Sequence, residues 1–503
     1  MAFFSFLQEQ IPTFVPPKQE EPRHLASDSR KVQKGSIFAV LPGTQQTGFR
    51  YLPQALTAGA SWVILTPEDY AQFTGKTPLS PLVVVSSSET QFILVEKPRQ
   101  FWAQLVAAFY AKQPEICAAV TGTNGKSSVV DFVRQIWTLL GKKAASIGTL
   151  GIRFGSSTQE IEGGLTTPDP LSLHKELAWL AEESVTHSAL EASSHGLDQY
   201  RLDGVKLTAA AFTQLSQDHL DYHQTMSTYF MAKQRLFADL LLSSGISVLN
   251  ADIPEYPVLR QIAEQRKQQV FDYGKRARSL VWKAWEPTPH GQHLHVLLLG
   301  RSVSWFVPLI GDFQGANLLC SIGLVLASGT ALEELLQIFP PSTALPLQGV
   351  PGRLERLEGA GKQVLVDYAH SPHALEKALA AIRPHTKGRI LLVFGCGGNR
   401  DATKRPLMGK IAEQKSDFLF LTDDNPREED PDCIRKEICA GLTARIPFQE
   451  IPDRREAIAA ALAEATAEDC VVIAGKGHEV TQQRGKERYP FNDQDVVREI
   501  LHL

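Results

Sequence analysis

An α/β protein of three domains is the fold class the sequence predicts, on three observations. At roughly 150 residues per domain, the 503 residues make about three domains. A glycine-rich turn at residues 121–128 stands between an apolar run and an amphipathic helix, the mark of a central mononucleotide-binding sheet. From about residue 363 the chain repeats strand, loop and helix: QVLVDYAH before SPHALEKALAAI, RILLVFGCGG before KRPLMGKIAE, DFLFLTDD before DPDCIRKEICAGL, then CVVIAGKGHE. Such alternation predicts a parallel, doubly wound, Rossmann-like sheet whose ligands lie outside the carboxyl ends of its strands.

Element by element, residues 1–97 read as a small α/β domain built on GSIFAVLPG, YLPQALTAGASWVILTP and SPLVVVSS. The second domain, 98–346, opens with the helical stretch FWAQLVAAFYAK and the strand ICAAV. It continues through strands SALEAS and LTAAAFTQL, a helix around YFMAKQRLFADLL, the strand ISVLN and a β-like alternation over 266–308. The third domain, 347–503, is the repeating segment above.

The composition, 43% hydrophobic and 21% charged, is that of a globular protein and speaks against disorder, collagen and coiled coil. Lys and Arg number 51 against 55 Asp and Glu, a net charge of -4, so no nucleic-acid or membrane-surface partner is expected. Six cysteines, Cys117, Cys320, Cys396, Cys433, Cys439 and Cys470, form no C-x-x-C pair and are predicted to be reduced and mostly buried. The apolar start MAFFSFLQEQIPTFVPP has no basic residue before Lys18 and is broken by Gln8, Glu9 and Gln10, unlike a signal peptide. With no apolar run near the ~18 residues of a membrane span, a cytoplasmic location without membrane insertion is expected.

The turn is Thr121, Gly122, Thr123, Asn124, Gly125, Lys126, Ser127 and Ser128. After it, Val129, Val130, Val133, Ile136, Trp137 and Leu140 fall on one helix face. Glycines let backbone N–H groups turn toward phosphate oxygens, the helix N-terminus favours anions, Lys126 reaches the β/γ-phosphates, and Ser127 can ligate Mg²⁺. Val120 stands where the general P-loop carries its first glycine. ATP binding by Gly122 to Ser128 is the reading.

The form T-G-T-N-G-K-S resembles the ATP loop of the Mur ligases, which add amino acids to the peptidoglycan precursor. The resemblance runs in order along essentially the whole chain. It implies that Ser127 and Glu191 of EASSHG serve one Mg²⁺, while His219 of LSQDHLDYH and Lys233 serve a second. The matching family lysine is carbamylated by CO₂, which replaces a repelled ammonium by the hard oxygen ligands that Mg²⁺ prefers. LIGDFQGANLL resembles the segment near adenine, with Phe313 and Asn317 matching and Gln314 in place of an Asn. Arg353 of VPGRLE is expected at the ATP phosphates and Asp367 of VDYAHSP at the ribose; SPHAL stands where the family usually has TPDAL.

For the UDP-muramoyl peptide, the resemblance implies contacts from Ser27, Ser29, Thr44, Gln45 and Gln46, and from Thr166, Thr167, Ser193, Gln199 and Arg201. Read without it, these residues are also ordinary turn and capping chemistry. Asp424, Asn425, Pro426 and Arg427 resemble the signature of members that add meso-diaminopimelate. Arg427, assisted by Arg400 of GCGGNRD, would grip the distal carboxylate bidentately, and lysine would leave that guanidinium unpaired. Glu479 of GKGHE, with Gly475, would hold the distal ammonium. Asn399 replaces the Asp of many relatives.

The implied reaction is phosphorylation of the D-Glu γ-carboxylate of UDP-N-acetylmuramoyl-L-Ala-D-Glu by ATP. Attack of the diaminopimelate amine on the acyl phosphate follows, with domain closure aligning it, and ADP and phosphate are released. Lys126, Glu191, His219, Lys233 and Arg353 carry the catalysis, with ATP and Mg²⁺ required and a monomer expected. The rivals are a lysine-adding or folate-extending ligase of the same superfamily, a nucleotide-binding protein without ligation, and a metal-dependent hydrolase using His219 and His223, which lacks a complete ligand set.

Overall fold

The computed structural model describes residues 3–17, 21–43, 47–87, 89–155, 157–159, 164–359 and 361–502. The chain divides into two compact units, one of residues 1–272 and 320–332, the other of residues 273–319 and 333–503. No helix among the described residues is long and apolar enough to cross a membrane.

In the first unit, a five-stranded sheet runs in the order Leu25–Ala26, Ile37–Ala39, Trp62–Leu65, Gln91–Leu94, Val83–Ser86, parallel except for its last pair. Its strands alternate: Trp62 and Ile64 pack on one face with Phe3, Phe6, Trp102 and Leu105, while Val63 and Leu65 pack on the other with Leu52, Ala55 and Tyr70. Both faces are apolar because helices cover both, as a parallel sheet requires.

The central sheet of this unit places Ile116–Thr121 between His187–Glu191 and Leu207–Phe212, all parallel, with Ala144–Gly148 and Leu241–Asn250 outside them. Glu191 lies in register with Val120, and Phe212 with Thr121. The ends of three neighbouring strands therefore deliver the 121–128 turn, Glu191 and residue 213 to one edge. The helix Lys126–Leu139 buries Val129, Val130, Val133, Ile136 and Trp137, as its spacing predicts. The strand Ala144–Gly148 and the antiparallel Gly151–Phe154 and Ser157–Gln159 are additional to the sequence reading.

In the second unit, Leu280–Thr288, Gly291–Leu298 and Arg301–Val307 form antiparallel β-structure where the alternation over 266–308 predicts strands. A six-stranded sheet follows in the order Glu355–Gly359, Lys362–Asp367, Cys470–Ala474, Ile390–Phe394, Phe418–Leu421, Phe448–Glu450, parallel after the first pair. Leu365, Leu392, Phe394 and Leu421 meet helices on one face, and Val364, Leu391, Val393 and Ile473 meet helices on the other, giving the doubly wound layering. The antiparallel ribbon Thr481–Arg484 and Glu487–Pro490 was not foreseen. All six cysteines are free; Cys433 is exposed, Cys439 is half-buried and the rest are buried.

Candidate active site

Gly122 cannot be replaced without rearrangement. It sits at φ +146, and a Cβ there would lie 1.9 Å from the Thr213 hydroxyl. That hydroxyl donates to the Asn124 carbonyl at 2.6 Å, while the Thr123 amide donates to the Gln214 carbonyl at 2.8 Å. The Thr123 hydroxyl accepts from the Ser216 amide at 3.0 Å and lies 3.1 Å from the Tyr229 hydroxyl. Thr123 was expected at ATP; its side chain is engaged in bracing the turn. No side chain caps the helix that begins at Lys126, whose N-cap is Gly125. Its first amides are the donors such a turn offers to phosphate.

Lys126 curls back and donates to the carbonyls of Gly122, at 3.0 Å, and Thr123, at 2.9 Å. Lys233, only 1% exposed, donates to the same Gly122 carbonyl at 2.9 Å and lies 4.5 Å from the Tyr229 ring centre. Burial, and then the neighbouring Lys126, hold the Lys233 amine well below its ordinary value, with Asp218 opposing. Ser127 is half-buried and Ser128 buried at the start of the helix.

Glu191 is buried at its strand end, and its Oε1 accepts from the Thr149 amide at 2.8 Å. A Cβ at Gly148 would come within 2.2 Å of that oxygen, so glycine there makes room for the carboxylate. The Thr149 hydroxyl is 3.1 Å from that of Thr166, and the Thr167 hydroxyl donates to the Glu191 carbonyl at 2.7 Å. Ser193 caps the helix Ser194–Asp198 and its amide donates to Thr167 at 2.9 Å. Arg201 donates to the Thr167 carbonyl at 2.7 Å and to Gln199 at 2.8 Å, and Gln199 donates to Tyr222 at 3.2 Å. One hydrogen-bonded chain thus joins Glu191, Thr166, Thr167, Ser193, Gln199 and Arg201. Through Gln199 it borders a cleft of about 820 Å³.

His219 stands in the left-handed region at φ 52, half in solvent, its ring 4.9 Å from that of His195. Burial, then His219 and His223, bring His195 down to about 4. Among the described residues no three His, Cys, Asp or Glu side chains gather as metal ligands. An ion here would be held by one or two protein groups together with phosphate oxygens, the usual arrangement for Mg²⁺, and the buried Glu191 carboxylate is a donor of the right hardness.

Ser29 is buried and donates to Gln54 at 2.9 Å, whereas Ser27 is exposed. Thr44, Gln45 and Gln46 lie outside the described residues.

In the second unit, Asn425 donates to Glu479 at 2.9 Å, and the fully buried Lys476 donates to the same Glu479 oxygen at 3.1 Å and to the Thr481 carbonyl at 2.7 Å. Arg427, at φ 53, is pinned to the ribbon by its amide on Gln483, at 3.1 Å, and its guanidinium donates to the Gly398 carbonyl at 2.6 Å. Arg400 is exposed on that same glycine loop. A Cβ at Gly475 would lie 2.6 Å from Asp424 Oδ2, a buried oxygen with no hydrogen-bond partner among the described residues. Burial pushes the Asp424 carboxyl up, with Arg454 the main opposing charge. Pro426 is buried between these residues in the chain. The loop after Phe418–Leu421, the loop after Ile390–Phe394 and the segment after Cys470–Ala474 therefore meet at one sheet edge.

Arg353 lies over the Tyr368 ring at 4.8 Å. Asp367, expected at a ribose, accepts from the amides of Leu354, at 2.8 Å, and Ala369, at 2.9 Å. Asn317 is buried and donates to Gln314 at 3.0 Å.

Residues 120–325 match the Mur ligase middle domain, and residues 352–477 match the Mur ligase glutamate ligase domain. The UDP-N-acetylmuramoyl-L-alanyl-D-glutamate--2,6-diaminopimelate ligase of Caulobacter vibrioides is 45% identical over 475 residues, 93% of each chain. The chain belongs to the Mur ligase family. The enzyme of the same name from Zymomonas mobilis is 41% identical over 482 residues, 95% of this Mur ligase and 94% of that one. A solved structure of a ligase of that name superposes with a TM-score of 0.71 at 30% identity, covering 100% of this chain and 99% of that one. The MurF ligase of Thermotoga maritima, solved with ADP, shares the fold at a TM-score of 0.57 and 16% identity, covering 96% of both.

Several well-placed residues of this Mur ligase escaped sequence reasoning. Lys476 lies within GKGHE, of which the sequence singles out only Gly475 and Glu479. Thr149, Thr213 and Tyr229 carry no motif, and Arg99 precedes the helical stretch FWAQLVAAFYAK that the sequence predicts. The adjoining HLDYH and SSHG segments were the available signal for the His195, Tyr222 and His223 cluster.

Proposed function

We propose that this Mur ligase is an ATP-dependent amide ligase joining meso-diaminopimelate to the D-Glu γ-carboxylate of UDP-N-acetylmuramoyl-L-Ala-D-Glu, a cytoplasmic step of peptidoglycan precursor synthesis carried out by a monomer. The observation that carries the substrate assignment is the meeting of Arg427, Asn425 and Glu479 at one sheet edge. A guanidinium beside a carboxylate matches the distal end of a diamino diacid, one carboxylate and one ammonium. The three domains are assigned to 1–97, 98–346 and 347–503, because the five-stranded sheet ends at Leu94 and the six-stranded sheet begins at Glu355.

ATP binds the 121–128 turn, whose uncapped amides and Lys126 take the phosphates. Asn317, Arg353 and Asp367 serve the rest of the nucleotide and its transferring phosphoryl group. Ser127 and Glu191 would hold one Mg²⁺ and His219 and Lys233 a second, which would supply charge neutralisation at the phosphates. The γ-carboxylate attacks the γ-phosphorus and ADP leaves. The amine then attacks the acyl carbon, loses a proton and expels phosphate. The cleft beside Thr166, Thr167, Ser193, Gln199 and Arg201 takes the muramoyl peptide, with Ser27, Ser29 and residues 44–46 toward the uridine.

Lys233 is assigned as a carbamate. Burial and the neighbouring Lys126 favour the neutral amine, whose lone pair can add to CO₂ with loss of one proton. The resulting anion would face Lys126, which shares the Gly122 carbonyl with it, and attract it.

The test supplies UDP-N-acetylmuramoyl-L-Ala-D-Glu carrying ¹⁸O in the γ-carboxylate, with ATP and meso-diaminopimelate. A product heavier by one diaminopimelate residue, with one ¹⁸O transferred to phosphate, is expected. Product without label transfer would remove the acyl phosphate, and no product would remove the ligase reading.

A further inference from the structure

The cleft of the first unit carries a cation that the reading above leaves unused. Arg99, near the start of the helix Pro98–Phe109, lines the cleft with Pro42, Gly43, His195, Gln199 and Tyr222. It is half-buried, and among the described residues its polar contact is with the Pro42 carbonyl, a neutral acceptor. Arg201, also half-buried, donates only to the Thr167 carbonyl and Gln199 among the described residues. Burial lowers both guanidiniums, and Arg99 lowers Arg201 further, with Tyr222 and Asp198 opposing at Arg99 and Asp169 and Tyr222 at Arg201. Asp198 and Asp221 also line the cleft, but both are exposed and Asp198 accepts from Tyr222 at 2.7 Å. Two guanidiniums close enough to repel, without an ion pair in the described structure, leave charge for an incoming anion to neutralise.

We infer that Arg99 is a binding residue for the acceptor substrate, gripping an anionic oxygen group of the UDP-muramoyl peptide in this cleft, whose wall residue Gln199 is held by Arg201. The inference rests on the function proposed above. The acceptor offers two sources of that chemistry, the diphosphate and the peptide carboxylates. Arg99 lies beside Gly43, next to the turn expected at the uridine, on one side, and beside the helix Ser194–Asp198 on the other, so it serves whichever group spans them.

The experiment measures, by calorimetry, the affinities of wild type, Arg99→Gln and Arg99→Lys for UDP-N-acetylmuramoyl-L-Ala-D-Glu and for UDP, at two salt concentrations, with ATP affinity as the folding control. Arg99→Gln is expected to bind the acceptor at least about tenfold more weakly, a loss typical of a charged hydrogen bond, with a shallower salt dependence and unchanged ATP affinity. Arg99→Lys should fall between the two. A parallel loss for UDP assigns the contact to the diphosphate, and an unchanged UDP affinity assigns it to a carboxylate. Unchanged acceptor affinity and salt dependence in Arg99→Gln would overturn the inference while leaving the ligase reading intact. Failure of wild type to bind the acceptor would overturn both.

Discussion

Two lysines meeting on the Gly122 carbonyl set the chemistry of the phosphate turn at the level of single residues. The folded Lys233 amine lies below its ordinary value of 10.5, so in the window between the two values the unfolded chain holds a proton that the folded chain does not. Stability therefore falls as pH drops through that window, and the deficit persists below it. In CO₂-free buffer at neutral pH, Lys233→Met is expected to raise the melting temperature while lowering turnover by at least about 10²-fold, the scale of a lost electrostatic contribution to phosphoryl transfer. A lower melting temperature would contradict this account of Lys233. A ¹³C-bicarbonate NMR spectrum should show a carbamate carbon in wild type that is missing in the variant.

Among the elements, the strand, turn and helix over 116–139 were legible because periodicity, glycine placement and the apolar face agree in one short window. The partnership of that turn with Thr213, Ser216 and Tyr229 was not legible, because it joins residues about ninety positions or more apart that carry no pattern. Gly122→Ala tests it. The new methyl meets Thr213 and the backbone stays strained, so nucleotide affinity should fall by about 1–3 kcal/mol. Thr213→Ala added to it should recover part of the loss, and full independence of the two changes in a calorimetric double-mutant cycle would refute the contact. At the starts of the helices Arg454–Glu464 and Asp493–Leu501 of the second unit, Arg454 and Asp493 form a fully buried bidentate pair, and Arg454 also donates to Ala474 just before Gly475. Removing one charge from such a pair strands the other, so Asp493→Asn should destabilise this unit by about 3–5 kcal/mol in urea unfolding.

Across the whole molecule, the alternation of strands and helices predicted the α/β class, and the resemblance predicted the family whose domains match residues 120–325 and 352–477. Side-chain commitments were hidden at this scale. Asp367 spends both oxygens on backbone amides, Glu479 is tied down by a buried lysine, and Asn425 joins them. A sequence shows residue types at strand ends but not which of their lone pairs are already taken. Lys476→Met should free Glu479 and raise the KM for diaminopimelate more than it lowers kcat, since the lysine positions the carboxylate without touching a reacting atom. Equal changes in the two constants would argue for a catalytic role instead.

The central claim is that the chain ligates a diamino diacid with ATP, and ADP release tests it most directly. Purified protein with Mg²⁺, ATP and UDP-N-acetylmuramoyl-L-Ala-D-Glu is given meso-diaminopimelate, L-lysine or no amino acid, alongside Arg427→Ala. Turnover with diaminopimelate alone, and its loss in the variant by about 10²-fold or more through the unmet carboxylate, is the expected result. Turnover with lysine at a comparable rate, or an Arg427→Ala enzyme that uses diaminopimelate normally, would contradict it.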